Sequence, residues 1–350
     1  MLVCNRRHET SNSYCIHYIP GNPNDNIGFC SFSNFRCEER EAELLPYISN
    51  SQLTFWDTCR RKYFLRYICG VIRHPYKMPA PVKAGKLWDI AMGVRYKQIP
   101  ASTINETIEE YEIDPFDVAK VKALFKAHRK IFGEVDTFNI EYQKEISRII
   151  SNENKEKIVA KGITDFSFSH HFIEMKLTGR PQYYDNVYSM TPQSAMYFLL
   201  NPDFEYCIVK IVRIPDKRKS YKTPEDPDLF ERQILTDILS RPSHYFIGYK
   251  REINDYGIKF YRDDFPLNAI KEKLIKVHMD IQQGEAEDNV HHFYEQRTGC
   301  MSYGQRCEYM EICETQQGQA SELLYTIDEV TQRVNAGEFK DFTLLQLGDK

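Results

Sequence analysis

The chain lacks what several broad classes of protein require. It has no run of about 18 apolar residues, and its mean hydropathy is -0.55, so a membrane-spanning helix is excluded. Its opening, Met1 to His8 (MLVCNRRH), turns polar too early for the apolar region of a signal peptide, and a cytoplasmic location is expected. Charge of one sign is not in excess: 46 Lys and Arg against 50 Asp and Glu leave a net charge of -4. Attraction of the whole molecule to nucleic acid or to an acidic membrane is thereby excluded, and such binding has to use local patches. Repeats are absent. With 42% hydrophobic residues and 27% charged ones, wholesale disorder and coiled-coil architectures are excluded too, and the chain is long enough to bury a sizeable core.

What the chain has in excess is cysteine, ten in all. A reducing compartment argues against disulfides, which leaves metal ligation as the first alternative. Cys4, Cys15, Cys30 and Cys37 lie in residues 1–46, an Asn-, Ser-, Gly- and Pro-rich appendage. A segment of about 40 residues has too little apolar surface to fold alone, so these four read either as ligands of a zinc ion, with His8 and His17 as spares, or as thiols laid on the main domain. Cys69 and Cys207 sit in apolar runs and read as core. Cys59 stands alone, and Cys300, Cys307 and Cys313 form a late group.

Residues 47–313 read as the main domain. Leu53, Trp56, Cys59, Tyr63 and Tyr67 recur at steps of three and four, which predicts one amphipathic helix behind Ser49 and Ser51. Further helices are expected over Pro115–Gly133, Thr191–Leu200, Asp228–Leu239 and Pro266–Gln283. β-Branched and aromatic runs predict strands at Lys157–Phe168, Phe172–Thr178 and Tyr206–Ile214. Helices before, between and after a few strands indicate an α/β or α+β domain rather than a bundle or a sandwich. Residues 314–350 read as a peripheral tail with one weak amphipathic helix over Glu322–Val334.

The sharpest chemistry is Asp165, followed nine residues later by Glu174 and then by Lys176. If the flanking strands turn at Ser169-His170, antiparallel pairing sets residue 165 opposite residue 174. Two carboxylates so opposed destabilise a sheet unless a cation lies between them. Hard oxygen ligands suit Mg²⁺ or Mn²⁺, which act on phosphoryl oxygens and on water. Lys176 shares the strand face of Glu174 and can serve that water.

These residues, with three other ordered features, resemble the PD-(D/E)XK nuclease superfamily. Within it they resemble the RecB-like nucleases that carry an iron-sulfur cluster, including CRISPR-associated exonucleases and phage relatives. The features are the helix Ser51–Tyr67 with Cys59; Gly85-Lys86-Leu87-Trp88-Asp89; the Asp165, Glu174 and Lys176 set continued by Gln193 and Tyr197 one turn apart; and Cys300, Cys307 and Cys313. The resemblance spans about residues 49–313 and implies a restriction-endonuclease-like mixed sheet flanked by helices, with extra helices and a cysteine-ligated cluster. It also implies that Gln193 and Tyr197 support the active site. Asp89 stands where the family has a metal-binding histidine, which makes it the expected third acidic ligand beside Asp165 and Glu174. Six residues separate Cys300 from Cys307, where many family members have two.

Cys59 would complete Cys300, Cys307 and Cys313 into four thiolates, a set that suits zinc or an iron-sulfur cluster. Spacing leaves the two equal; the resemblance favours four-iron four-sulfur. Either ties together segments roughly 240 residues apart. Basic groups at Arg60, Arg61, Lys62 and Arg66, and from Lys210 through Arg213, Lys217, Arg218 and Lys219 to Lys222 with Tyr221 among them, are candidate phosphate contacts. The expected activity is a metal-dependent deoxyribonuclease, an exonuclease on single-stranded DNA working beside a helicase or a recombination or repair partner. The alternatives are a structure-selective or restriction-type endonuclease, and a silent DNA-binding scaffold.

Overall fold

A computed structural model of the protein describes residues 47–135, 139–151, 153–154, 157–182, 191–217, 225–286, 292–294, 296, 299–301 and 306–314, and the backbone alone of 18–19, 27–30, 36–38 and 325–327. In chain order the strands are β1 (Tyr18–Ile19), β2 (Ile27–Cys30), β3 (Arg36–Glu38), β4 (Tyr47–Ser49), β5 (Val71–Arg73), β6 (Glu141–Ser151), β7 (Lys157–Ser167), β8 (His171–Thr178), β9 (Tyr206–Arg213), β10 (Ile258–Tyr261) and β11 (Tyr325–Ile327). The helices used below are α1 (Asn50–Thr58), α2 (Arg60–Tyr63), α3 (Ala80–Arg95), α4 (Ser102–Glu110), α5 (Pro115–Phe132), α6 (Pro192–Leu200), α7 (Pro227–Ser240), α8 (Leu267–Ala286) and α9 (Met310–Glu314).

Local chemistry starts most of these elements where the sequence says it should. Ser49 and Gln52 form a reciprocal capping box at the start of α1, with bonds of 3.3 and 2.7 Å. Asp114 caps α5 through the Phe116 amide and Asp226 caps α7 through the Asp228 amide, each with proline at the first helical position.

The fold is a mixed α/β architecture around a six-stranded sheet. The order is β10-β9-β8-β7-β4, with β6 also paired to β7. β8 and β9 run parallel, from His171 opposite Tyr206 to Thr178 opposite Arg213. β6 pairs with β7 antiparallel along almost its whole length, from Glu141 opposite Ser167 to Ser151 opposite Lys157. β6 occupies that edge, so β8 and β4 share the other one. β8 pairs only at Phe166 and Ser167, and β4 only from Val159 to Lys161. Residues 162–165 between them have no strand partner on that side.

Helices cover both faces. One core joins α1, α6 and α8 to the sheet through Leu53, Trp56, Ala160, Phe172, Phe198 and Leu274. The other joins α3, α5 and α7 to the opposite face through Trp88, Leu124, Phe166, Ile173 and Phe230. Residues an even number apart on a flat strand share a face. Ile158 and Ala160 nevertheless belong to the first core and Phe166 to the second, and on β6 Ile146 and Ile150 part from Tyr142 in the same way. The β6–β7 ribbon therefore turns over between these rows. Gln143 lies at the turnover with φ of 48°, in the left-handed region where a non-glycine residue is uncommon.

Two expectations need correction. The single helix predicted through Cys59 is broken there: Cys59 is extended, at φ -168° and ψ 119°, and divides α1 from α2. The Arg61 amide donates to the Tyr294 carbonyl at 3.1 Å, so a distant segment supplies a bond at the break. In the tail, where Glu322–Val334 was expected to be helical, Tyr325–Ile327 is a strand paired antiparallel with β5. Cys4 and Cys15 lie outside the described residues, and Cys30 and Cys37 stand on β2 and β3, whose side chains also lie outside them.

Gly162, in the unpaired stretch, lets α6 close on the sheet. A Cβ there would come within 2.6 Å of the Tyr197 ring and 3.1 Å of Leu200. Gly162→Ala should cost about 1–3 kcal/mol, the order for overpacking a filled core, read as a lower denaturant midpoint at an unchanged slope.

Candidate metal and nuclease site

The site is built where β7 and β8 part. The hairpin closes as the sequence predicts, with Phe168 N–H donating to His171 O at 2.8 Å across Ser169-His170. Its register, Phe166 opposite Ile173 and Ser167 opposite Phe172, carried one step further sets Asp165 opposite Glu174. The ladder has ended by then. The Met175 amide donates to Asp165 Oδ2 at 2.7 Å, so the carboxylate takes a backbone bond across the widening gap.

Glu174 is 1% exposed. Its Oε1 accepts from Lys176 Nζ and, at 2.7 Å, from Gln193 Nε2. Gln193 Nε2 lies 3.0 Å from the Tyr197 hydroxyl, which donates to the Ile163 carbonyl at 2.5 Å, and Lys176 Nζ reaches Gln193 Oε1 at 3.4 Å. The four-residue spacing on α6 thus serves two ends: Gln193 holds the carboxylate, and Tyr197 satisfies a carbonyl of the unpaired stretch of β7.

Asp89 arrives from α3 on the other side. Its Oδ2 accepts from Gln143 Nε2 at 2.9 Å and from the Tyr142 hydroxyl at 3.4 Å. These two partners escaped the reading of the sequence. β6 carried no clear alternation there, and the turnover that aims Gln143 at Asp89 has no local signature. All six residues expected at the site, Asp89, Asp165, Glu174, Lys176, Gln193 and Tyr197, are brought to it.

The carboxylates strain against one another. Burial raises the Asp165 pKa well above the ordinary 3.8; the charges of Glu174 and Asp89 push it further, while Lys176 and the Met175 amide oppose. Asp89 is raised too, chiefly by burial, with Lys86, Gln143, Tyr142 and Lys176 opposing. Tyr197 is raised by burial and by the charge of Glu174. Two buried oxygens, Asp89 Oδ1 and Glu174 Oε2, have no hydrogen-bond partner among the described residues. Each unsatisfied buried acceptor costs about 1–3 kcal/mol. Carboxylate oxygens of this kind suit a hard divalent cation such as Mg²⁺ or Mn²⁺, whose charge would offset the repulsion at Asp165. Among the described residues, however, no three His, Cys, Asp or Glu side chains converge into a ready-made metal site.

The backbones at Cys59, Cys300 and Cys307 approach one another. Cys59 Sγ accepts from the Gln296 amide at 3.4 Å, and Gly299 lies so close that a Cβ on it would come within 2.6 Å of the Thr58 carbonyl. The Cys307 amide donates to the Cys300 carbonyl at 2.7 Å, and α9 carries Cys313, whose amide donates to Tyr309 O. Burial raises the Cys307 pKa. Backbones bearing Cys59, Cys300 and Cys307 are thus adjacent, without three thiols converging.

The basic groups are largely engaged inside the molecule. Arg60 pairs with Asp280 at 2.8 Å and lies over the Trp56 and Tyr294 rings; Lys62 pairs with Glu308 at 2.9 Å. Lys210 is buried and pairs with Asp255 at 2.7 Å, and Arg213 donates to the His244 carbonyl. Lys217 donates to Gln233. Arg218, Lys219, Tyr221 and Lys222 lie outside the described residues.

No family model matches the chain, and no curated protein matches it. Among solved structures it is similar to the crystal structure of SSO0001, at 17% identity, over 58% of this chain and 79% of that one, with a TM-score of 0.24. At that score the likeness carries no argument for fold or activity.

Asp165 gives a pH signature. Its carboxyl keeps in the folded chain a proton that the unfolded chain releases near 3.8. The stability this contributes is full below 3.8 and is lost as pH rises through the elevated folded value. In chelator, Asp165→Asn should therefore be more stable than the parent at mildly alkaline pH, the difference closing as pH falls toward 3.8. Thermal unfolding across pH measures it.

Proposed function

We propose that the protein is a metal-dependent deoxyribonuclease with a PD-(D/E)XK-type core, acting as an exonuclease on single-stranded DNA. The observation that carries the reading is the pair of buried oxygens without a partner among the described residues, Asp89 Oδ1 and Glu174 Oε2, on two carboxylates whose charges act on Asp165 and are opposed by Lys176. Asp89, Asp165 and Glu174 would hold Mg²⁺ or Mn²⁺, which when bound supplies Lewis acidity toward a phosphoryl oxygen and activates water. Gln193 keeps Glu174 oriented, and Tyr197 anchors the strand from which Asp165 projects. Lys176 Nζ neutralises Glu174 Oε1, and its positive charge would orient the attacking water and offset charge on the phosphate.

Cys59, Cys300, Cys307 and Cys313 would hold a four-iron four-sulfur cluster or a zinc ion. This is supported by the adjacency of the backbones at Cys59, Cys300 and Cys307, and the chemistry supplied would be structural, holding the C-terminal segment onto α1 and α2. A further zinc on Cys4, Cys15, Cys30 and Cys37, a cytoplasmic location and a helicase or repair partner belong to the same reading.

Glu174→Ala and Lys176→Ala should each lower cleavage of end-labelled single-stranded DNA in Mg²⁺ or Mn²⁺ by at least about a hundredfold while DNA binding persists. Full cleavage by both variants would remove the site. A parent that linearises closed circular DNA would be an endonuclease, and one that binds DNA but cuts neither strand nor circle a scaffold. Cys307→Ala should lose metal and unfold at a distinctly lower temperature. Iron with visible absorbance in anaerobically purified parent identifies the cluster, and zinc without colour the alternative.

A further inference from the structure

Asp89 lies on a face of α3 that the site leaves otherwise unused. Val82, Gly85, Lys86 and Asp89 are spaced as i, i+3, i+4 and i+7 and form one stripe. Ala84, Leu87, Trp88 and Met92, on another face, are buried in the second core. The outer stripe is open at its start, where Val82 is 52% exposed and a Cβ added to Gly85 would meet nothing within 4 Å, and half-buried at Lys86 and Asp89. Lys86 is near enough to Asp89 to act on its charge.

Gly85 is unlike the glycines that the fold needs. On the same helix a Cβ at Gly93 would come within 2.8 Å of the Tyr142 ring, and Gly162 has the Tyr197 ring against it. Glycine in a helix interior weakens the helix, because it adds backbone freedom to the unfolded chain. Among the described residues no packing at Gly85 offsets that loss. The space it leaves lies one turn before Asp89, whose Oδ1 is buried without a partner among the described residues.

We propose that this space is the seat of the nucleic-acid backbone next to the scissile phosphate. Gly85 lets the sugar–phosphate chain lie directly on α3, Lys86 neutralises its phosphate, and Val82 touches the adjoining sugar or base. Gly85 is thus a clearance residue and Lys86 a phosphate contact. The inference rests on the nuclease reading and adds to it the path of the substrate strand.

The test compares the parent with Gly85→Ala, Gly85→Leu and Lys86→Gln. It uses a fluorescein-labelled oligothymidylate bound in Ca²⁺, cleavage in Mn²⁺, Mn²⁺ affinity from the spin-resonance signal of the free ion, and thermal unfolding. Gly85→Ala should unfold at a higher temperature than the parent. Gly85→Leu should keep the parent's Mn²⁺ affinity yet bind the oligonucleotide about tenfold more weakly or worse, the order expected of a steric clash. Lys86→Gln, which adds no bulk and keeps the test decisive if leucine disturbs the helix, should lower the slope of log affinity against log salt by about one. If the parent cleaves, Gly85→Leu binds and cleaves as well as the parent and the Lys86→Gln slope is unchanged, this inference falls and the nuclease reading stands. If the parent neither binds nor cleaves DNA, both fall.

Discussion

Much of the molecule depends on how the two edges of β7 are shared. One edge is given wholly to β6; the other is divided between β8 at the C-terminal end and β4 at the N-terminal end. The four residues in the middle have no ladder on that side, and buried backbone groups left without partners are costly. Side chains take over where the ladder stops. The Tyr197 hydroxyl donates to Ile163 O, and Asp165 accepts from the Met175 amide. The same gap gives α6 close access to the sheet over Gly162.

That substitution brings functional groups to one point and also loads the site with repulsion. The charges of Glu174 and Asp89 act on Asp165 and that of Lys176 opposes them, and burial makes the Asp89 and Asp165 charges harder to carry. Two helices on opposite faces of the sheet hold the arrangement, α3 by way of the Tyr142 and Gln143 bonds and α6 by way of Gln193. Lysine neutralises only part of the charge. The remaining demand, two carboxylate oxygens buried without partners among the described residues, is the physical content of the proposal that a divalent cation belongs there.

A second long-range closure fixes the outside of the first core. Arg60 and Lys62 reach Asp280 and Glu308, the Arg61 amide reaches Tyr294, and the Tyr309 hydroxyl donates to Val71 at 2.8 Å. These ties bring the late cysteine segment against the break at Cys59, and β11 continues the same return by pairing with β5. Polar and aromatic contacts already perform part of the closure proposed for the four cysteines, so a metal there would reinforce an approach that the chain makes without it.

The sequence by itself determined what depends on neighbours in the chain. The periods of α5, α6, α7 and α8 and the β-branched runs of β7, β8 and β9 were legible at close to their observed bounds. So was the meeting of Asp165 with Glu174, since a two-residue turn sets the register of a hairpin. Only the tertiary structure decided the rest. It broke the helix at Cys59, where a segment more than 230 residues away supplies a backbone bond and a donor to the thiol. It made Tyr325–Ile327 a strand because β5 offers an edge, turned Lys210 inward to Asp255, and set Gln143 in a left-handed conformation facing Asp89. In each of these the partner is remote in the chain, and a local pattern carries no information about a bond whose other half lies elsewhere.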